Sequence, residues 1–224
     1  IRRQRQMCIR DRYKFREWAM LHPQYNLKIV TAKGGGTAMT LFDIMQRELN
    51  DFEGDIFLSW GDITNIRIET ILRVSALHQA LNSSVLTVPT SLEKNPYAGL
   101  TRDKEGNVNG TFMTKEYPEQ KQEFGEHDSS IFILKSREFL GILEKLINNF
   151  KINGRDIQEL NFLETIPLLV SNQKEVVGIA CVNILECTGF NTLEEVKTVE
   201  RYMREIGEKI ISKGMENFEQ EHFH

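Results

Sequence analysis

Three cysteines in 224 residues (Cys8, Cys181 and Cys187) are too few and too scattered for a disulfide framework or a zinc site. Cys181 and Cys187 fall in a largely apolar stretch, so they read as reduced, structural residues of a cytoplasmic protein. No apolar run approaches the ~18 residues of a membrane-spanning helix. Five histidines (His22, His78, His127, His222 and His224) show no metal-ligand spacing. There is no Gly-x-Ser-x-Gly elbow and no Cys/His pairing, so covalent catalysis is not expected. Neither the Walker pattern nor Gly-x-Gly-x-x-Gly occurs. Positive charge is not in excess either: 28 Lys and Arg stand against 32 Asp and Glu. That balance argues against a nucleic-acid groove. No internal repeat or low-complexity tract is present.

The composition is 40% hydrophobic and 27% charged, ordinary for a globular chain. The length fits one large α/β domain or two small ones, and one is preferred. The first twelve residues, IRRQRQMCIRDR, differ from the rest, with five Arg and one Asp. A basic arm could bind nucleic acid or anionic lipid. However, Met7–Asp11 reads letter for letter as a translated sequencing-library adapter. Residues 1–12 are therefore expected to be a non-native tail and set aside. Residues 13–213 are expected to form the domain, and 214–224 a C-terminal tail.

Strand and helix patterns alternate along the domain. Leu27–Ala32 reads as a strand, Gly34-Gly35-Gly36 as a turn and Thr37–Leu49 as a helix. Asp55–Trp60 reads as a strand, Ile66–Leu81 as a helix and Ser84–Pro89 as a strand. This order implies an α/β sandwich with a mostly parallel central sheet. Asp103–Asn107 marks a hairpin insertion. Tyr117–Asp128 is polar and reads as a loop. Ile131–Leu134 reads as a strand, and Arg137–Asn149 and Asp156–Val170 as helices. Glu175–Cys181 is a further strand. Thr192-Leu193-Glu194-Glu195 is a capping box that starts the last helix.

Four stretches could carry chemistry. Asp62 follows Gly61 just beyond a strand end, where open α/β sheets bind ligands. A carboxylate there can hold Mg²⁺ with phosphates and waters, or it can cap the following helix. Asn191 sits in a loop before a cap, where it can ligate a metal or serve a turn. The Gly-rich turn at Gly36-Thr37 opens a helix, whose amides favour an anion or a base edge; a plain tight turn fits equally. Asp128, Ser129 and Ser130 stand at a strand entrance, able to bond sugar hydroxyls or only to end a loop.

In order, "GGTAM", "DIFLSWGDITN", "NPYAGLTRDKEGNVNGTFMTKE", "DSSIFILKS" and "ECTGFNTLEEVKTVERYM" resemble the nucleotidyltransferases with a Rossmann-like GT-A fold. Within them, the resemblance is to the uridylyltransferase domain of bacterial N-acetylglucosamine-1-phosphate uridylyltransferases. It extends over residues 26–205. It implies a three-layer α/β sandwich and a reaction between a nucleoside triphosphate and a sugar phosphate. A nucleotide-sugar and pyrophosphate form with Mg²⁺ as cofactor, without nucleic acid or membrane as partners. Asp62 and Asn191 become the metal ligands. Gly36, Thr37 and Gly61 border the nucleotide, and Gly99 and Asp128 the sugar.

The departures matter as much. The family's Gly-rich loop with its Arg and Lys is not in this sequence, and the polypeptide is expected to turn over poorly or not at all. Met113 falls where the uridylyltransferases have a sugar-binding Glu. Asp128 and Ser130 replace the family's Asn and Gly, and Thr31 replaces a base-reading Gln. A ligand-sensing homologue without turnover is therefore a competing expectation. A GT-A glycosyltransferase fits less well, because Gly61-Asp62-Ile63-Thr64 stands where Asp-x-Asp is expected.

Overall fold

The computed structural model describes residues 13–31, 34–63, 65–82, 84–152, 159–189 and 192–222. Two compact units are present, one up to Gly34 and one from Gly35 onward. In the first, helix α1 covers residues 13–21 and a 3-10 turn covers Pro23–Tyr25. Trp18 stacks on His22 at 4.2 Å, and His22 Nδ1 lies 2.8 Å from the Trp18 carbonyl. Residues 27–31 form no strand, contrary to the reading of Leu27–Ala32. Among the described residues, 27–31 take part in no strand pairing. Ala32 lies outside the described residues.

The second unit holds seven strands and the remaining helices. Strands β1 (Asp55–Ser59), β2 (Leu86–Lys94), β3 (Ala98–Arg102), β4 (Val108–Met113), β5 (Phe124–Asp128), β6 (Ile131–Lys135) and β7 (Val176–Ala180) form one sheet. Its order is β1-β6-β2-β5-β3-β4, with β7 also on β2. The α/β class stands, but the mostly parallel sheet does not. Only β2–β7 is parallel; every other pairing is antiparallel. The reason is local. β1 and β2 do run parallel, joined by helix α3 (Ile68–Ala80), but β6 lies between them and is antiparallel to both.

β5 and β6 behave as one strand interrupted by a bulge. Thr90 on β2 faces Asp128, while Thr87 faces Ile133, so three steps along β2 match five along its partner. The extra residues, Ser129 and Ser130, are thrown out of the ladder. Ser129 donates both its N–H and its hydroxyl to the Pro89 carbonyl, at 3.2 and 2.6 Å. Pro89, which has no N–H, thus sits where the ladder is already broken. β5 falls in the stretch read as a loop. Its sequence, Phe-Gly-Glu-His-Asp, has no apolar alternation to mark it.

Helices cover both faces. α2 (Thr37–Glu48) buries Ala38, Leu41 and Met45, and α4 (Ser136–Ile152) buries Phe139, Ile142, Leu143 and Ile147. These positions recur at helical spacing and share one core with Leu86, Val88, Phe132 and Leu134. Alternate residues on the same strands point the other way. There, Thr87 bonds His78 of α3 at 2.8 Å, and Ile131 packs with Val182 and Cys187. The helix expected over Asp156–Val170 is instead a 3-10 turn (Phe162–Glu164) followed by α5 (Thr165–Ser171); residues 153–158 lie outside the described set. The final helix, α6 (Leu193–His222), starts at the capping box, with Glu195 N donating to Thr192 Oγ1 at 3.2 Å.

Candidate active site

A cleft of about 230 Å³ opens at the ends of β1, β4 and β5. Four of the residues singled out in the sequence line it together: Thr37, Asp62, Asp128 and Ser130.

Asp62 is exposed in the turn after β1, which Ile63 N closes on the Trp60 carbonyl at 3.2 Å. It does not cap α3. That helix begins at Ile68 with Arg67 in the cap position, five residues beyond Asp62. A Cβ on Gly61 would meet nothing within 4 Å, so packing does not demand glycine there.

Asp128 is buried at the bulge. Burial raises its carboxyl to about 6, against the lowering effect of its bonds from Ser130. Ser130 N donates to Asp128 Oδ1 at 2.9 Å. Ser130 itself has φ 58°, a left-handed conformation that favours glycine. Its carbonyl accepts Trp60 N at 3.1 Å, which fastens the bulge to the end of β1.

Thr37 opens α2. Its Oγ1 accepts the Phe162 N–H at 2.8 Å. Leu160 N donates to the Gly35 carbonyl at 2.9 Å, and Ala38 N donates to the Leu160 carbonyl at 3.0 Å. Gly36 has φ 97°, and a Cβ there would fall 2.3 Å from the Leu160 oxygen. Gly36 therefore serves this backbone crossing, and Thr37 faces the cleft. Gly99 has a similar constraint: a Cβ would lie 1.7 Å from the Glu126 carbonyl. Its neighbour Ala98, not Gly99, lines the cleft. Asn191 lies outside the described residues, although Gly189 reaches the cleft wall.

Sequence reasoning missed Asn161, Lys115 and Tyr97, which also line the cleft. Asn161 was hidden inside an expected helix; its Oδ1 accepts Leu163 N at 3.0 Å and starts the 3-10 turn. The available signal was an Asn ahead of an apolar pair. Tyr97 stands edge-on to His127, with ring centroids 4.6 Å apart. Burial raises the Tyr97 phenol to about 12, helped by Asp128 and Asp62.

His127 is buried, and burial lowers its imidazole to about 4. Its Nδ1 lies 2.9 Å from Glu93 Oε1, yet neither ring nitrogen makes an aligned hydrogen bond. A neutral ring beside a carboxylate follows from the desolvation. Cys187, also on the wall, has its thiol pushed up to about 12, chiefly by burial, which favours the thiol over the thiolate.

Behind the cleft, Arg102 holds the hairpin in place. It donates to Glu126 Oε2 at 2.9 Å, to the Gly106 carbonyl at 2.8 Å and to the Gly178 carbonyl at 2.9 Å. Glu126 Oε2 also accepts from Thr90 Oγ1 at 3.0 Å.

No family model matches the sequence. The chain is 23% identical over 184 residues to the bifunctional protein GlmU of Caldicellulosiruptor saccharolyticus, covering 81% of this chain and 38% of that one. With the bifunctional protein GlmU of Acholeplasma laidlawii the identity is 24% over 159 residues, covering 70% and 33%. The chain thus spans just over a third of the length of the curated relatives it matches. The nucleoside-diphosphate-sugar pyrophosphorylase of Vibrio cholerae RC9 shares the fold, with TM-score 0.52, 11% identity and coverage of 76% and 67%. The likeness to the GlmU proteins is in sequence, and the likeness to the pyrophosphorylase is in fold. No described helix is long and apolar enough to cross a membrane.

Proposed function

We propose that the cleft is a nucleotidyl-transfer site that joins a nucleoside monophosphate to a sugar phosphate or similar phosphorylated acceptor. An acceptor phosphate oxygen attacks the α-phosphorus of the triphosphate. The bond to the β-phosphate oxygen breaks, and pyrophosphate leaves with the electron pair. The acceptor oxygen is already ionised at neutral pH, so no general base is required. The work is positioning and charge neutralisation. The convergence of Thr37, Asp62 and Asp128 on one strand-end cleft carries this reading.

The donor set suits Mg²⁺. Asp62 offers an exposed hard oxygen, and no cluster of three or more His, Cys, Asp or Glu exists among the described residues. Mg²⁺ is held that way, by one or two protein oxygens with waters and phosphates. Asp62 would hold it, with Asn191 as the proposed second ligand; when bound, the ion offsets phosphate charge. Charge supports the need for it. Among the described residues, Asp62, Glu116 and Asp128 line the cleft against one cation, Lys115. Thr37 and the start of α2 would border the nucleotide. Asp128 would fix an acceptor hydroxyl, accepting from it once ionised.

The same acidic lining supports a second reading, a ligand-binding protein without turnover. One experiment separates the two. The purified chain is titrated with the four triphosphates and a panel of nucleotide-sugars, with and without Mg²⁺. Pyrophosphate release is then followed for each triphosphate with a panel of sugar phosphates. Mg²⁺-dependent triphosphate binding, with any release of pyrophosphate, supports the transferase, and Mg²⁺-independent binding without release supports the sensor. A folded chain that binds no nucleotide or nucleotide-sugar overturns the cleft assignment.

A further inference from the structure

A second hollow, a groove of about 440 Å³, lies between the β3–β4 hairpin and the helices α4 and α5. Tyr117, Leu146, Pro167 and Leu168 give it apolar walls, and Thr111, Gln120, Glu164 and Ser171 give it a polar rim. One residue belongs to both hollows: Met113. It is 4% exposed and is the last residue of β4. Its backbone is fixed on both sides of the partition. Met113 N donates to Gln120 Oε1 at 2.9 Å, and Tyr117 N donates to the Met113 carbonyl at 2.8 Å. The side chain is the adaptable part, since methionine is unbranched and repacks easily.

The cleft has apolar lining too: Ala98, which pairs with Met113 across the β3–β4 ladder, and Leu163. A purely hydroxylated acceptor would leave polar groups unpaired there. We infer that the groove extends the acceptor subsite, with Met113 as a movable partition, and takes an apolar substituent carried by the phosphorylated acceptor. The inference rests on the cleft being the phosphate-binding site. It narrows the acceptor to phosphorylated sugars or alcohols bearing an alkyl or comparable apolar arm. Met113 lines both the groove and the cleft, so the two hollows stand on either side of one side chain.

The test uses ethyl, butyl, hexyl and octyl phosphate with Mg²⁺, titrated into the unmodified chain. Each is also competed against the nucleotide-sugar that binds best in the screen above. Affinity should rise by roughly two- to fourfold per added methylene until the groove is filled. Octyl phosphate should displace the nucleotide-sugar. Leu168→Asp and Ser171→Trp, which make the groove polar or fill it, should each flatten the chain-length series while leaving ethyl phosphate binding unchanged. Two variants are used because either alone could perturb α5. A flat series in a chain that binds nucleotide-sugars overturns the groove assignment and leaves the cleft intact. So does a steep series that neither variant alters or that does not compete. A chain that binds no nucleotide-sugar sinks the cleft reading, and this inference with it.

Discussion

Trp60 donates its backbone N–H to the Ser130 carbonyl across 3.1 Å. This bond joins the turn that carries Asp62 to the bulge that carries Asp128. Two acidic groups 66 positions apart in sequence are thereby set on one cleft. The bond requires Ser130 to hold φ 58°, which costs a non-glycine residue energy.

Ser130 is the first test of that strain. Ser130→Val should lower stability by about 1–3 kcal/mol, because a β-branched side chain resists the left-handed region. Ser130→Gly should leave it nearly unchanged, relief of strain being offset by added freedom of the unfolded chain. Urea denaturation of the three proteins distinguishes them. Equal losses for Val and Gly would refute the strain argument.

Asp128 and His127 are adjacent, and their shifts act oppositely on stability. Asp128 is raised to about 6, so its contribution is greatest near pH 4 and is lost as pH rises toward 6. His127 is lowered to about 4, so its contribution is complete above pH 6.5 and is lost as pH falls toward 4. Each is worth roughly 3 kcal/mol at most. The native protein should therefore show a shallow profile across pH 4 to 6.5. Asp128→Asn should expose the histidine slope, with stability rising with pH. His127→Gln should expose the opposite slope. Denaturant melts at half-unit intervals read both; two variants with the native profile would dismiss the compensation.

Asp62→Asn should change folding stability by less than about 0.5 kcal/mol, since Asp62 is exposed and caps no helix. Mg²⁺-dependent nucleotide binding should fall by roughly 10- to 100-fold. Isothermal titration with and without the metal measures it, and unchanged binding would remove Asp62 from the metal site.

Gly99→Ala places a Cβ where the Glu126 carbonyl already sits, 1.7 Å away. The cost should reach about 3 kcal/mol or more, since backbone on both sides must move. Gly61→Ala, with nothing within 4 Å, should cost little stability. Thermal melts of the pair check the contrast, and equal shifts would contradict it.

Much of the fold was legible where burial and periodicity coincide. Leu41 and Met45, or Phe139 and Leu143, mark helix faces by spacing, and Ile131–Leu134 marks a strand buried on both faces. The turn at Asp103–Asn107 and the cap at Thr192 are chemical signals, and both hold. Strand direction was not legible, because pairing is decided between distant segments and β6 inserts between β1 and β2. β5 escaped notice because its buried residues, His127 and Asp128, are polar. In the site, Thr37, Asp62 and Asp128 were legible as polar residues at element ends, and they line one cleft. Asn161 was not, because its cleft position depends on Leu160 pairing with the turn at Gly35. Asn191 lies outside the described residues, so its part in the metal site stands as a proposal.

The parallel pairing of β2 with β7 has a consequence for synthesis. β1 through β6 are all complete before residue 176 is made, and β5 and β6 occupy one side of β2. The other side waits for β7, the last strand of the sheet. A nascent chain emerging from the ribosome therefore shows an unpaired backbone edge along Leu86–Thr90 of β2. That edge is where a chaperone, or a second unfinished chain, would find a partner first.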